Sequence, residues 1–174
     1  GSKPITVEPT LADRMQQGIL AQLVLARAII DPRSLPQLPQ FRNKDGSVSY
    51  FTDEVFFDGN SQGAIMGAAA TAVATDWKRA TLGVPGMNYS TLLQRSTDWA
   101  TYAAVMDPAY PSDADRQLVF GLLQMLWDRG EAGGYVQHLT SNPYPKTPEH
   151  QVILAVAFGD HQVAVFGEQE RSGL

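Results

Sequence analysis

The amino-acid sequence predicts an α/β fold in which a small, mostly parallel sheet is flanked by helices. Short, β-prone apolar runs occur near 55–57, 80–84 and 151–157, and stretches with helical features separate them. A glycine-rich turn joins the first run directly to an alanine-rich segment, as expected for a strand followed by its crossover helix. Hydrophobic residues make up 44% of the chain and charged residues 18%, as in soluble globular domains.

The first predicted element is a long amphipathic helix. Apolar side chains recur at three- and four-residue spacing over residues 11–31, with polar residues between them. Thr10, followed by Asp13 three residues later, is typical of a capping box at a helix start. The Asp31-Pro32 step predicts the end of this helix, because proline cannot continue it.

A long connection and a strand–helix–strand unit are predicted next. Residues 32–50 contain three prolines and the turn signal Asp45-Gly46, so we expect an irregular connection with one tight turn. Residues 55–57 form the first strand, the alanine-rich residues 64–77 a helix packed against the sheet, and residues 80–84 a second strand.

The second half of the chain is predicted to be mainly helical up to a final strand. Within residues 87–142, Ser90 or Thr91 is expected to cap one helix and Ser112 another. Residues 151–158 are continuously apolar, which predicts a parallel strand covered on both faces.

The segment Gly59-Asn60-Ser61-Gln62-Gly63 matches the pattern G-x-S-x-G between a predicted strand and a predicted helix. In such a turn the serine takes a strained backbone conformation, and small residues two before and two after it let strand and helix approach. The Gln62 N–H, at the positive end of the helix, would be one donor to an oxyanion. An ordinary glycine-rich turn without chemistry remains open at this point.

Two stretches of the chain resemble a known family. FFDGNSQGAIMG resembles the nucleophile elbow of α/β-hydrolases, in particular bacterial serine esterase- or lipase-like proteins with a G-N-S-Q-G elbow. HQVILAVAFGDHQV resembles their next landmark, a buried strand that ends in Gly and Asp. The resemblance implies that Ser61 is the nucleophile and Asp160 the acid of a catalytic triad. One departure is Ala64, where these relatives often carry a third glycine.

The resemblance also implies a domain organisation. Residues 1–174 would form a single domain, with its core in 11–86 and 149–174 and a helical cap inserted at 87–148. The family has further strands before its elbow and a further strand and histidine loop after its acid, so we expect a fold truncated at both ends. An incomplete sheet exposes its edges, which predicts a homo-oligomer, specifically a dimer, with exchange of a segment hinged at 32–50 as one route.

The predicted triad has no obvious general base. The family order is Ser, Asp, His, and His161 directly follows Asp160. Neighbouring side chains on an extended segment point to opposite sides, so Asp160 is poorly placed to orient that ring. His138 falls in the cap, and His150 is predicted at the opposite end of the sheet from Ser61. His161 is therefore the best candidate base, in a rearranged local geometry or reaching the serine of a partner chain.

Three functional hypotheses follow. The first is a serine hydrolase acting on small carboxylic esters, with no cofactor. The second is a catalytically impaired hydrolase fragment that serves as a binding or scaffold module. The third is a flavodoxin-like domain that binds phosphate at the glycine-rich turn, against which the lack of a nearby Lys or Arg counts.

Composition argues against several other classes. The net charge of −5, without a basic cluster, disfavours nucleic acid, and no run of about 18 apolar residues predicts a membrane span. The absence of cysteine and of metal-binding histidine spacing predicts no metal site. The composition predicts a soluble protein, cytoplasmic as expressed. Gly1-Ser2 resembles the remnant of an expression tag, so the native compartment is unknown and a secreted parent protein stays open.

Overall fold

The computed structural model describes residues 10–163 of the 174-residue chain. Within that range the predicted α/β architecture with a small parallel sheet is confirmed. The helices and strands are, in chain order, α1 (Thr10–Ile30), β1 (Phe57–Asn60), α2 (Gln62–Ala72), β2 (Arg79–Gly83), α3 (Tyr89–Arg95), α4 (Trp99–Ala109), α5 (Asp113–Trp127) and β3 (Gln151–Ala155). Among these helices, none is both long and apolar enough to cross a lipid bilayer.

The three strands pair in the order β1-β2-β3, and both pairs are parallel. Asn60 is aligned with Gly83, which is in turn aligned with Ala155. The carboxyl ends of all three strands therefore meet at one edge of the sheet, and Ser61 lies at this carboxyl edge.

Helices cover one face of the sheet within the described residues. Ala64 and Ala68 of α2 pack against Leu82 together with Ala132, and the β3 side chains of Val152 and Leu154 join the same cluster. On the opposite face Ile153 is 66% exposed. The prediction that the last strand is buried on both faces is therefore wrong for this part of the chain. Strands in the order 1-2-3 with crossovers of the same hand receive both connections on one side.

Helix α2 lies between the sheet and α1. Ile19 and Ala26 of α1 pack against Ala69 and Ala70 of α2, and Phe57 of β1 lies against the same cluster. Because α2 consists largely of alanine and glycine, its backbone approaches both neighbours closely. The helix that begins directly after Ser61 is thus held on two sides.

Several element boundaries differ from the predicted ones. Strand β1 covers residues 57–60 instead of 55–57, because Val55 packs against the α1–α2 cluster and pairing with β2 begins at Phe57. Helix α2 covers residues 62–72 instead of 64–77, and Trp77 lies in the loop that enters β2.

The helix caps are partly as predicted. Ser112 caps α5, since its side chain accepts a hydrogen bond from the Asp115 N–H at 3.4 Å. The cap of α3 is Asn88 instead of Ser90 or Thr91. The predicted capping role of the Thr10 side chain lies outside what the structure describes.

Candidate functional site

Ser61 connects β1 to α2 in a tight turn. Its φ of 55° and ψ of −122° lie in a region that residues with a side chain rarely adopt. Its N–H donates to the Gly83 carbonyl at 2.9 Å, and its carbonyl accepts from the N–H groups of Ala64 and Ile65 at 2.8 and 3.0 Å. A conformation of this kind costs about 1–3 kcal/mol and persists where the surroundings enforce it.

The two motif glycines differ in their surroundings. A Cβ at Gly59 would overlap the Gly63 carbonyl and lie 2.8 Å from Cε1 of Phe57. A Cβ at Gly63 would meet no atom within 4 Å. The predicted requirement for small residues therefore holds at Gly59 and is wrong at Gly63. Ala64 is completely buried against the sheet, so the methyl group at this departure from the family pattern is accommodated.

Gln62 is the first residue of α2, and its environment links the turn to the helical region that follows β2. Its N–H belongs to the first turn of an 11-residue helix, where amides have no acceptor within the helix and face its positive end. Its side-chain carbonyl accepts a hydrogen bond from the Tyr89 hydroxyl. The Asn60 carboxamide oxygen lies against Gly83 of the neighbouring strand.

Two cavities meet at Gln62. The first has a volume of about 250 Å³ and carries no charged side chain in its lining, which consists of Leu11, Met15, Gln62, Tyr89, Leu93, Tyr102 and Trp127. The second, of about 300 Å³, lies between α1 and the turn and includes Gln22, Asp58 and Gly63. Ser61 is adjacent to both through Gln62 but does not itself line either.

Asp160 lies at the carboxyl edge but is engaged locally. Its Oδ1 accepts from the N–H groups of Gln162 and Val163 at 2.7 and 3.0 Å. Val163 packs against Ile65 of α2 and Leu92 of α3, which places this segment beside the first turns of the helix after Ser61. The carboxylate thus stabilises the turn that contains it.

His161 is exposed at the same edge, and its carbonyl accepts a hydrogen bond from the Thr97 N–H at 2.8 Å. Within residues 10–163, no hydrogen bond joins the side chains of Ser61, Asp160 and His161. The structure therefore brings the three predicted residues to one edge of the sheet without assembling them into a triad.

His150 directly precedes β3 and lies at the opposite end of the sheet from Ser61, as predicted. The residue is 3% exposed, and neither ring nitrogen makes a well-formed hydrogen bond in the described part of the chain. Burial lowers the pKa of His150 below its ordinary value, although backbone groups of Ala74, Leu139 and Trp77 near the ring partly oppose that shift. This histidine is a structural one.

His138 contacts the loop that precedes β3. Its Nδ1 lies 2.6 Å from the Asn142 carbonyl oxygen, and its ring centre lies 4.0 Å from that of Tyr144. These contacts fasten the loop before β3.

Sequence analysis did not single out Glu131, which is completely buried. Its carboxylate accepts hydrogen bonds from the Gln124 side-chain amide and, at 2.9 Å, from the Gly133 N–H. Burial raises the pKa of Glu131, while these donors and the Tyr89 backbone N–H favour its charged form. No motif marks this residue, because its donors come from segments that are distant in sequence or from a glycine-rich turn.

Comparisons of the chain with protein-family models, with curated proteins and with solved structures gave no match. The resemblance to α/β-hydrolases therefore depends on the motif and its neighbourhood. The architecture that is shown is a small parallel sheet with flanking helices.

Proposed function

We propose that this protein is a serine hydrolase that acts on carboxylic esters through Ser61. The observation that carries the proposal is the backbone of Ser61, a serine with φ 55° and ψ −122° between a parallel strand and a helix. Strained residues of this kind cluster at active sites, and a serine on a strand-to-helix turn presents its Oγ at the edge of the sheet.

In the proposed reaction, Ser61 Oγ attacks the ester carbonyl carbon while a base takes its proton. The oxyanion of the tetrahedral intermediate accepts a hydrogen bond from the Gln62 N–H, at the positive end of α2. The alcohol leaves with the proton that the base carried, and water then attacks the acyl enzyme to release the acid.

Asp160 and His161 are the proposed acid and base. His161 is exposed and Asp160 binds its own turn, so their action on Ser61 requires movement of the segment after β3 or delivery of His161 by a second copy of the chain. The position of this segment beside the first turns of α2, the helix that begins directly after Ser61, supports the assignment.

The cavity of about 250 Å³ beside Gln62 is the proposed site of the acyl group. Its lining is apolar and aromatic and carries no charge, which favours a neutral, short aliphatic or aryl acyl group. Charged acyl groups would lose their hydration there without gaining an ionic partner.

The test is covalent labelling with a fluorophosphonate probe together with hydrolysis of p-nitrophenyl acetate. We expect the native protein to be labelled and to hydrolyse the ester, and Ser61→Ala to lose both activities. Ser141→Ala, which changes an exposed loop serine, is the matched control and should behave as the native protein does. Absence of labelling in the folded native protein would contradict the proposal.

A catalytically impaired fragment that acts as a binding or scaffold module is the second candidate. The observation that favours it is that Asp160 is hydrogen-bonded to its own turn and His161 is exposed, so within the described residues neither side chain is hydrogen-bonded to Ser61. In that case the native protein and Ser61→Ala would be equally inert towards the probe. If added imidazole restored Ser61-dependent labelling, the hydrolase would be favoured instead.

A further inference from the structure

Glu131 is a buried carboxylate that needs its hydrogen-bond donors. The residue has no exposed surface, and it stands between the end of α5 and a 3₁₀ helix at Ala132–Gly134. That 3₁₀ helix packs on α2, where Ala132 contacts the cluster formed by Ala64 and Ala68. A buried charge without partners is strongly unfavourable, so the groups that donate to Glu131 are held in place by it.

Through one of these donors, Gln124, Glu131 is connected to the start of α3. The N-cap residue of α3, Asn88, makes no side-chain capping bond, so the first N–H groups of this helix need other acceptors. The Ser90 N–H donates to Gln124 Oε1 at 2.9 Å, and the amide group of the same Gln124 donates to Glu131. The Tyr89 N–H favours the charged form of Glu131 directly. Gln124, which donates to Glu131, thus takes the place of the missing cap.

Tyr89 connects the start of α3 to the candidate site. Its hydroxyl donates to Gln62 Oε1, and its ring lies 5.6 Å from that of Trp127. Both Tyr89 and Gln62 line the cavity of about 250 Å³. The orientation of the Gln62 side chain, and the shape of the cavity wall, therefore depend on where the first turn of α3 is fixed.

We propose that Glu131 is a positioning residue that, together with Gln124, fixes the first turn of α3 and so holds Tyr89 against Gln62 at the wall of the acyl cavity. This inference rests on the proposed hydrolase function. It assigns Glu131 a role in selecting the acyl group, with no contact to the reacting atoms. Replacing its carboxylate loosens the wall without touching Ser61.

The test compares Glu131→Gln with Asp128→Asn. Asp128 accepts from the same Gln124 amide, at 2.7 Å, and so serves as the matched control. Amide hydrogen exchange of peptides covering residues 86–95 reports on the start of α3. We expect exchange at Tyr89 and Ser90 to become about tenfold faster in Glu131→Gln and to change little in Asp128→Asn, because Glu131 is completely buried whereas Asp128 is only half-buried, and a buried acceptor is the costlier one to weaken.

The kinetic consequence is measured with p-nitrophenyl acetate and p-nitrophenyl butyrate. In Glu131→Gln we expect KM for the butyrate to rise several-fold relative to the acetate, with kcat nearly kept, because the cavity wall matters more for the longer group. Tyr89→Phe should give the same shift, and the double variant should add nothing further, since both act through one link.

The outcomes separate this inference from the proposed function. If the native protein hydrolyses esters but Glu131→Gln leaves either the exchange at Tyr89 and Ser90 or the butyrate-to-acetate ratio unchanged, the inference is wrong. If the native protein is inert towards the fluorophosphonate probe, the proposed function fails, and the exchange result alone decides whether Glu131 fixes this turn. Should Glu131→Gln lack native circular dichroism, Gln124→Met breaks the same link from its other end and should accelerate the same amides.

Discussion

The backbone of Ser61 stores strain that can be measured independently of any reaction. Glycine tolerates a positive φ, whereas alanine keeps the Cβ that makes the conformation unfavourable. Relief of about 1–3 kcal/mol of strain is opposed by about 0.5–1 kcal/mol of added chain entropy in the glycine variant. We therefore expect Ser61→Gly to be about 1 kcal/mol more stable than Ser61→Ala in urea unfolding. A Ser61→Gly variant that is less stable than Ser61→Ala by about 0.5–1 kcal/mol, the entropy cost of glycine alone, would show that the turn is unstrained.

The buried His150 makes a separate prediction about pH. Its pKa is lowered from the ordinary 6.5, so the unfolded chain takes up a proton more readily than the folded one. Its contribution to stability is complete above about pH 6.5 and is lost as the pH falls towards the folded pKa. Glu131, whose pKa is raised, acts in the opposite sense, since stability decreases as the pH rises above its unfolded value of 4.5.

A variant separates these two effects. We expect His150→Leu to lose less stability than the native protein between about pH 7.5 and pH 5, because leucine brings no buried group that must be protonated. The measurement is urea unfolding of both proteins at each pH, and the difference between them cancels the contribution of Glu131. Parallel pH profiles for the two proteins would mean that His150 titrates in the folded state as it does in the unfolded chain.

At the scale of elements, the sequence predicted the features that depend on residues close together in the chain. The apolar spacing of α1 and the Ser112–Asp115 cap of α5 were predicted because both depend on residues within one or two turns. The start of β1 was misplaced because Val55 packs on helices rather than in the sheet. The cap of α3 was misassigned because the Ser90 N–H is satisfied by Gln124, more than thirty residues away.

The candidate site divides in the same way. The turn at Ser61 was predictable, since five consecutive residues define it. The relation between Ser61 and Asp160 was not, because it depends on how the segment after β3 folds back over α2. The Asp160 carboxylate accepts hydrogen bonds from the backbone N–H groups two and three residues ahead. Such local hydrogen bonds compete with a hydrogen bond to a residue that is distant in sequence.

The contact between β1 and α2 gives a prediction at this scale. Gly59→Ala would drive a methyl group into the Gly63 carbonyl and the Phe57 ring, at an expected cost of about 1–3 kcal/mol. Gly63→Ala projects into open space and replaces a helical glycine, so we expect it to be neutral or up to about 1 kcal/mol stabilising. Thermal unfolding of the two variants checks the contrast. A similar loss of stability in both variants would mean that α2 and β1 are not closely packed at Gly59.

At the scale of the whole molecule, the sheet has a covered and an uncovered face within the described residues. Both crossovers lie on the α2 side, so Phe56 and Ile153 remain 56% and 66% exposed. Strand β3 is also an edge strand, and Phe158 beyond it is fully exposed. Unpaired edges and apolar faces of this kind favour association with another surface.

We therefore expect the chain to form a homodimer that covers the open face and the β3 edge. A second copy offers the same apolar face and the same unpaired backbone groups, so a two-fold arrangement satisfies both partners at once. Ile153→Lys would place a charge in that interface and should convert the dimer to a monomer in light scattering across a range of concentrations. Val105→Lys changes a side chain of similar exposure, 62%, on α4 and should leave the dimer intact. A native protein that stays monomeric at every concentration would contradict the predicted dimer. It would also rule out a second copy as the source of His161.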